Sequence, residues 1–429
     1  MSASAATVEG SGHRSPFSAV VRNAGWLYGA EILVRLMLAA LIVVVARILG
    51  PAETGKYVFV VSISTIAASG SDFGTTQYFV RTAVHTDAST RSSLFWSVLV
   101  FRLAVTACLA AAMVGYALWT PDLETRGLLL LGAVALPISA APGVVTASLR
   151  AQQRMGFEAG GKVIVASVTL LAGGALVIAG RGVTSLGVAG IFAALVGVAY
   201  NAAIARRQVE LSTPMRVTAP RIRRLVAGAW PYFSTSVLVV AYSRLDTVLL
   251  QQLMGPSAVG EYGVAIRVME VLFVIPGVLG AAVFPAIVQS LPGRPADVVR
   301  QSMRGMRVLI AVAMAIALIG MATSQTLFPL MFGSAFGASI TVFRILVWTA
   351  VPVFASIITS SIIAASHKPI VNTYLAAAMV AVCAAGNLIL IPRYGIDGAA
   401  VVRLITETVG LVGGIAFIAL AFRGHEATS

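Results

Sequence analysis

Apolar residues in this chain do not alternate with polar ones. They come in runs of about 20, separated by short polar stretches. Twelve such runs can be drawn, at approximately 24–49, 57–80, 94–118, 127–148, 162–180, 183–204, 225–252, 261–290, 306–330, 340–364, 370–391 and 396–422. A run of that length crosses ~30 Å of hydrocarbon as a helix, whereas spanning strands would give short alternating segments. The pattern therefore predicts an all-α polytopic membrane protein with twelve transmembrane helices. The longest connection, about 205–224, leaves no space for a soluble domain. The first run is too long for a signal peptide and carries Glu31 and Arg35, so it reads as a retained helix.

Composition agrees. Of 429 residues, 58% are hydrophobic and 11% charged. An average soluble domain has about 25% charged residues, so this chain lacks the polar surface that a soluble enzyme needs. Net charge is +14, and its distribution carries information. With the N-terminus inside, 19 of the 30 Lys and Arg fall in the N-terminal tail, the even-numbered loops and the C-terminal tail. Five lie on the opposite side and six within the runs. This positive-inside bias predicts that both termini are cytoplasmic. It also accounts for the basic excess without nucleic acid; contact with membrane lipids remains natural for such loops.

An internal repeat is visible. Leu49-Gly50-Pro51, then Gly55 and Tyr57, match Met254-Gly255-Pro256, then Gly260 and Tyr262, at an offset of 205. Gly187 and Gly190 match Gly395 and Gly398 at an offset of 208. Two concordant offsets predict two pseudo-symmetric six-helix bundles, related by an axis along the membrane normal. The expected organisation is a cytoplasmic tail (1–23), an N-terminal bundle (24–212), a C-terminal bundle (213–422) and a second tail (423–429).

Eleven charged residues fall inside the runs: Arg35, Arg102, Arg244, Arg267, Arg344, Arg403, Glu31, Asp72, Asp246, Glu270 and Glu407. A charge at a helix centre costs ~2.5–3.5 kcal/mol on insertion scales, so these groups must pair or face water. At ~100° per residue, Glu31/Arg35 and Arg403/Glu407 sit about 40° apart and Arg267/Glu270 about 60° apart, the spacing of intrahelical pairs. Asp72 has no such partner. It shares a face with Ser62, Thr65, Ser69 and Thr76, a stripe that suits a hydrated interior or pairing with an Arg of another helix. Ser236, Ser243, Arg244, Asp246, Thr247 and Gln251 share half of the seventh helix. Arg102 and Arg344 also lack an intrahelical partner; for Arg344, near a helix end, snorkelling is the simpler reading. Arg holds phosphate by bidentate hydrogen bonds, so a hydrated cavity with surplus Arg suits an anionic head group. Pro137, Pro142, Pro231, Pro276, Pro285 and Pro352 mark candidate kinks.

Much chemistry is excluded. Cys108 and Cys383 lie in apolar runs and read as buried small hydrophobes. His13, His85, His367 and His425 are in loops or tails, so no Ser–His dyad or His-ligated metal is expected in the bilayer. No phosphate-binding Gly-x-x-x-x-Gly-Lys-Ser/Thr loop occurs. The chain is not expected to be an enzyme, nor to hold a metal or cofactor.

Ala46-Arg47-Ile48-Leu49-Gly50-Pro51-Ala52-Glu53-Thr54-Gly55-Lys56-Tyr57 resembles the first loop of the polysaccharide-biosynthesis (Wzx-type) flippases. Ile391-Pro392-Arg393-Tyr394-Gly395-Ile396-Asp397-Gly398-Ala399-Ala400 is similar to their approach to the twelfth helix. That family belongs to the MOP superfamily, with the MATE drug exporters and the lipid II flippase. The resemblance implies flipping of an undecaprenyl-diphosphate-linked oligosaccharide, a repeat unit of O-antigen, exopolysaccharide or capsule, across the bacterial inner membrane. It implies alternating access through a cationic cavity, coupled to proton or sodium movement. The expected partners are the substrate, membrane lipids, and a glycan polymerase and glycosyltransferases of the same pathway. The candidate substrate-binding residues are Arg35, Arg244, Arg267, Arg102 and Arg403. The candidate ion-coupling residues are Asp72, Glu31, Asp246 and Glu270.

Three rivals remain. A MATE-like cation-coupled multidrug antiporter shares the fold, but the runs hold six Arg against five acids, which favours anionic cargo. A membrane-embedded glycan polymerase or ligase would need a large outward loop, absent here. A non-transporting scaffold would not need so many ionisable groups in its helices.

Overall fold

The computed structural model describes residues 16–84, 86–209, 217–277, 280, 287, 295–366 and 370–422. The four histidines and Pro285 lie outside them, as does the middle of the longest connection. Among the described residues every regular element is helical.

In chain order the α-helices are α1 (Pro16–Asp72), α2 (Thr75–Ala83), α3 (Ala88–Trp119), α4 (Leu123–Ile138), α5 (Ala140–Ala151), α6 (Met155–Ile178) and α7 (Thr184–Gln208). They are followed by α8 (Ala219–Met254), α9 (Pro256–Leu272), α10 (Pro295–Phe332), α11 (Ala338–Leu346), α12 (Ala350–Ala365) and α13 (Ile370–Phe422). Among the described residues, eight helical stretches are long and apolar enough to cross a membrane. A ninth span arises if α4 and α5, bent by 40° at Ser139, count as one. This bend follows Pro137, where a kink is expected, since proline removes a backbone donor and crowds the preceding turn. Pro231, in contrast, lies inside an unbroken α8. The eighth expected run begins as α9 and continues into residues only partly described.

Two of the eight stretches are double. Gly50 interrupts α1 with φ 78° and ψ −175°, and Gly395 interrupts α13 with φ 59° and ψ −138°. Gly255, between α8 and α9, has φ 85° and ψ −176°, nearly the backbone of Gly50. A positive φ costs glycine nothing, and proline at the next position suits the first turn of a helix. The repeated Gly-Pro therefore builds the same turn twice.

Those two turns pack against each other. A Cβ added to Gly55 would lie 1.7 Å from the Pro256 carbonyl oxygen, and one on Gly260 would lie 1.9 Å from that of Pro51. The contact is reciprocal, as a twofold axis passing between the turns would make it. Around it, Leu41, Phe59 and Leu129 join Tyr262, Phe328 and Phe343 in one buried cluster that includes both halves of the chain. Smaller clusters form around Phe79, Phe95 and Val144, and around Ile358, Ile362 and Ile418.

The outward faces are apolar: Val188, Phe192 and Leu195 of α7 are all exposed. On a soluble protein this would be an aggregation surface; here it is the face for lipid. Trp26 near the start of the first helix and Trp119 at the end of α3 are exposed, as aromatic residues at a membrane interface are.

Two helix starts are capped by aspartate. Asp87 accepts from the amides of Ser89 and Thr90 at the start of α3, and Asp122 from that of Thr125 at the start of α4. The Ser89 hydroxyl and the Thr90 donors hold the Asp87 carboxyl well below its ordinary range. Partial burial opposes ionisation of Asp122, but Thr125 and Lys56 outweigh it and the carboxyl stays below its ordinary value.

Candidate functional site

The two halves bring charged side chains together near the middle of the bundle. Arg244 and Arg267 lie 11 and 12 residues on either side of Gly255. That is roughly 16–18 Å of helix, about half of the hydrocarbon thickness. Glu270 joins them: Arg244 Nη1 contacts its carboxylate at 2.9 Å and Arg267 Nη1 at 2.8 Å. From the first helix, Arg35 donates Nη1 to the Glu270 backbone carbonyl at 2.5 Å, while its Nε holds Glu31 at 3.0 Å. Three guanidinium groups, from three helices, thus face two carboxylates.

The cluster is half-open. The Arg35 and Glu31 side chains are 32% and 36% accessible, and those of Arg244, Arg267 and Glu270 lie between 15% and 22%. Arg244 Nε is buried and holds no hydrogen-bond partner. A buried donor left unpaired costs about 1–3 kcal/mol, so this edge of the guanidinium is primed for an acceptor.

A charged path leads away from this cluster within the N-terminal half. Lys162 Nζ lies 3.9 Å from Glu31 and 3.3 Å from Glu158, and Glu158 forms a bidentate pair with Arg150 at 2.7 and 2.6 Å. The fifth apolar run, from 162, leaves Glu158 in the preceding connection and Lys162 at the edge of the run. In fact α6 begins at Met155, and the i,i+4 spacing of the two residues was the available signal.

Asp72 and Arg102 form a separate site. Asp72 ends α1 and pairs with Arg102 of α3. Arg102 also donates to Thr75 and Thr76, each at 2.8 Å, and Thr76 donates to Asp72 at 2.6 Å. Arg102 is buried against the bare backbone of Gly143, where a Cβ would come within 2.2 Å of Nη1. Of the two readings that the polar stripe allowed for Asp72, pairing with an Arg of another helix is the one observed. Neither residue reaches the central cluster.

Arg403 and Asp246 belong to a third, more buried cluster. Arg403 lies 3.6 Å from Asp246 and 3.2 Å from Glu407, and the Tyr262 hydroxyl donates to Asp246 at 2.6 Å. The guanidinium also sits over the Tyr242 ring, 5.5 Å from its centroid. Cys383 and Asn387 line the same region, and the buried oxygens Asn387 Oδ1 and Thr406 Oγ1 hold no partner. Sequence spacing indicated the Arg403–Glu407 pair; Tyr242 and Tyr262 gave no signal, because an isolated Tyr in an apolar run reads as packing. Arg344 is bonded to Ser324 at 2.9 Å.

Among the described residues no group of three or more His, Cys, Asp or Glu side chains could hold a metal ion. What the central cluster can do is bind an anion: it offers forked donors from both halves, in partial contact with water, with a net positive charge.

The fold is the one seen in transporters of the MOP superfamily. The lipid II flippase MurJ, in an inward closed conformation, superposes with a TM-score of 0.76 at 12% identity, over 93% of this chain and 87% of that one. A multidrug resistance MATE family transporter, outward-facing, superposes at 0.70 with 15% identity, over 97% and 98%. A MOP superfamily transporter from Pyrococcus furiosus Vc1, described as having a binding pocket of reversed polarity, superposes at 0.68 with 14% identity, over 95% and 97%. Residues 20–291 match the family model of polysaccharide biosynthesis proteins, and the chain belongs to that family. Among curated proteins, no sequence matches.

Proposed function

We propose that this protein is a flippase for a lipid-linked oligosaccharide, of the undecaprenyl-diphosphate type, in the bacterial inner membrane. Both termini face the cytoplasm. Arg35, Arg244 and Arg267 hold the diphosphate, and Glu270 occupies their donors when cargo is absent. The observation that carries this reading is the convergence of three guanidinium groups from both halves on Glu270, two on its carboxylate and that of Arg35 on its backbone carbonyl. A diphosphate offers more acceptor oxygens and more charge than one carboxylate does, so it competes for the same donors. Because Arg35 comes from one half and Arg244 and Arg267 from the other, cargo bound there senses the relative position of the halves. Alternating access then exposes the site to one side or the other.

Displaced carboxylates need a counter-charge. Glu270 and Glu31, together with Asp246 in the third cluster, are the groups through which a proton or sodium ion would be coupled to cargo movement. Asp72, Arg102 and Arg403 are assigned to structure rather than cargo contact, since each is already bonded on several sides. The glycosyltransferases that assemble the repeat unit would supply the cargo, and a polymerase would consume it on the far side.

Reconstituted vesicles test the reading. With a fluorescent undecaprenyl-diphosphate oligosaccharide in the inner leaflet, wild-type protein is expected to expose it to an external quencher, and R244A is expected to lose most of that rate. Equal rates for the two proteins, or drug export with no lipid flipping, would refute it.

A further inference from the structure

A second concavity lies away from the central cluster. It encloses about 460 Å³ between α2, α3 and the first turns of α8. Ser89, Thr90, Ser93 and Ser97 line one wall, and Arg221 and Arg224 the other; no acidic side chain lines it. Arg221 Nη1 donates to the Ser93 hydroxyl at 2.7 Å, across 128 residues of sequence. Ser93 and Ser97 are buried, and Ser97 donates to the Ser93 backbone carbonyl. Among the described residues Arg224 has no hydrogen-bond or ion-pair partner. The nearby carboxylate of Asp87 is committed to capping α3.

The positive-inside rule calls for arginine at this end of the bundle. It does not call for a hydroxyl-lined hollow, nor for an arginine of one half bonded to a serine of the other. Two guanidinium groups with no carboxylate in the lining form the core of a phosphate site, beside hydroxyls of which those of Ser89 and Ser97 already donate to Asp87 and to the Ser93 carbonyl. The position identifies the source. Trp230, six residues beyond Arg224 and about 9 Å further along α8, is 54% exposed, as a residue at the level of lipid head groups would be. Tyr232, one turn from the same level, accepts from Arg81 at 3.0 Å.

We propose that this cavity binds the phosphodiester of an anionic phospholipid and, by bridging α3 and α8, ties the two halves together at their arginine-rich end. The lipid is not cargo; it holds the gate on this side. The bridging role rests on the alternating-access reading above, whereas the binding itself does not.

The test uses the full-length protein in nanodiscs of equal phosphatidylglycerol and phosphatidylcholine, with the retained lipid counted by native mass spectrometry. Two arginines near a charged surface, at about 1 kcal/mol each, predict roughly a 30-fold preference for phosphatidylglycerol at this site. The double variant R221Q/R224Q should lose it, S93A should weaken it, and R244A, which alters only the central cluster, should retain it. Melting temperatures should rise with phosphatidylglycerol for wild type and not for R221Q/R224Q. An unchanged preference in R221Q/R224Q would overturn the proposal. So would full displacement by millimolar inorganic phosphate, which would make the ligand a soluble phosphate. Loss of flipping with intact lipid preference would instead count against the flippase reading alone.

Discussion

Arg35 donates to the backbone carbonyl of Glu270 at 2.5 Å, joining the first helix of one half to the α9 helix of the other. The same Glu270 carboxylate holds Arg244 and Arg267. It is therefore both the neutralising partner of the cationic cluster and the group that anionic cargo must displace.

Removing that competition should tighten binding while damaging transport. E270Q keeps the shape of the side chain and removes its charge, so undecaprenyl diphosphate should bind more tightly than to wild type. R244A loses a charge-assisted hydrogen bond, of about 1.5–3 kcal/mol, and should bind roughly 10- to 150-fold more weakly. Calorimetric titration of the detergent-solubilised protein checks both. If E270Q weakens binding, Glu270 supports the site instead of competing for it.

The Asp72–Arg102 pair should behave as structure. Removing one member of a buried ion pair costs about 3–5 kcal/mol, and the partial exposure of Asp72, 27%, places this pair at the low end. D72N should therefore lower thermal stability, and the double variant D72N/R102M should recover part of it through a positive coupling in the cycle. Transport per folded molecule should change little for D72N. Normal stability with abolished transport would return Asp72 to the coupling machinery.

How much of this was legible in the sequence depended on whether a contact is local. Glu31–Arg35, Arg267–Glu270 and Arg403–Glu407 follow from helical spacing alone and were read directly. The Gly-Pro repeat marks both turns in the sequence itself, because a positive φ followed by proline leaves few other residue choices. Contacts between helices were not legible. Nothing near Asp72 indicates Arg102, and nothing near Arg35 indicates Glu270, since those distances are set by packing between helices. Glu158 escapes for a simpler reason: the apolar run drawn from 162 begins several residues after α6 does, so Glu158 falls in a connection and Lys162 at its edge.

The Gly-Pro turns should tolerate no side chain at Gly55. An added Cβ would meet the Pro256 carbonyl at 1.7 Å, and backbone cannot move aside as a flexible side chain can. Nearby bonds hold the same end: Gln252 donates to the Tyr116 hydroxyl at 2.7 Å, and Arg47 Nε to the Met331 carbonyl at 2.9 Å. G55A should thus force the halves apart at this end and reduce stability, whereas G190A, where nothing lies within 4 Å, should not. Melting curves and thiol labelling of a cysteine placed at Gln252 measure the two effects. A wild-type melting temperature and unchanged labelling in G55A would show that the turns do not clasp the halves.

The third cluster makes the strongest claim on ion coupling. Asp246 and Glu407 are both buried and face one guanidinium, Arg403, with the Tyr262 hydroxyl, the Tyr242 ring and the Cys383 thiol beside it. Two carboxylates against one cation leave one negative charge in a medium where an unbalanced charge is costly, so the cluster should take up a cation. A proton can settle on either carboxylate. Sodium would need oxygen ligands, and Asn387, bonded to Cys383 beside this cluster, carries a buried oxygen, Oδ1, without a partner among the described residues. E407Q removes the excess charge permanently. It should fold at least as well as wild type, retain cargo binding, and lose the dependence of flipping on the transmembrane ion gradient. Flipping assayed with a pH gradient alone and a sodium gradient alone identifies the ion: the wild-type response to one of them should vanish in E407Q. An undiminished response to both gradients in that variant would remove this cluster from the coupling path and leave Glu270 and Glu31 to carry it.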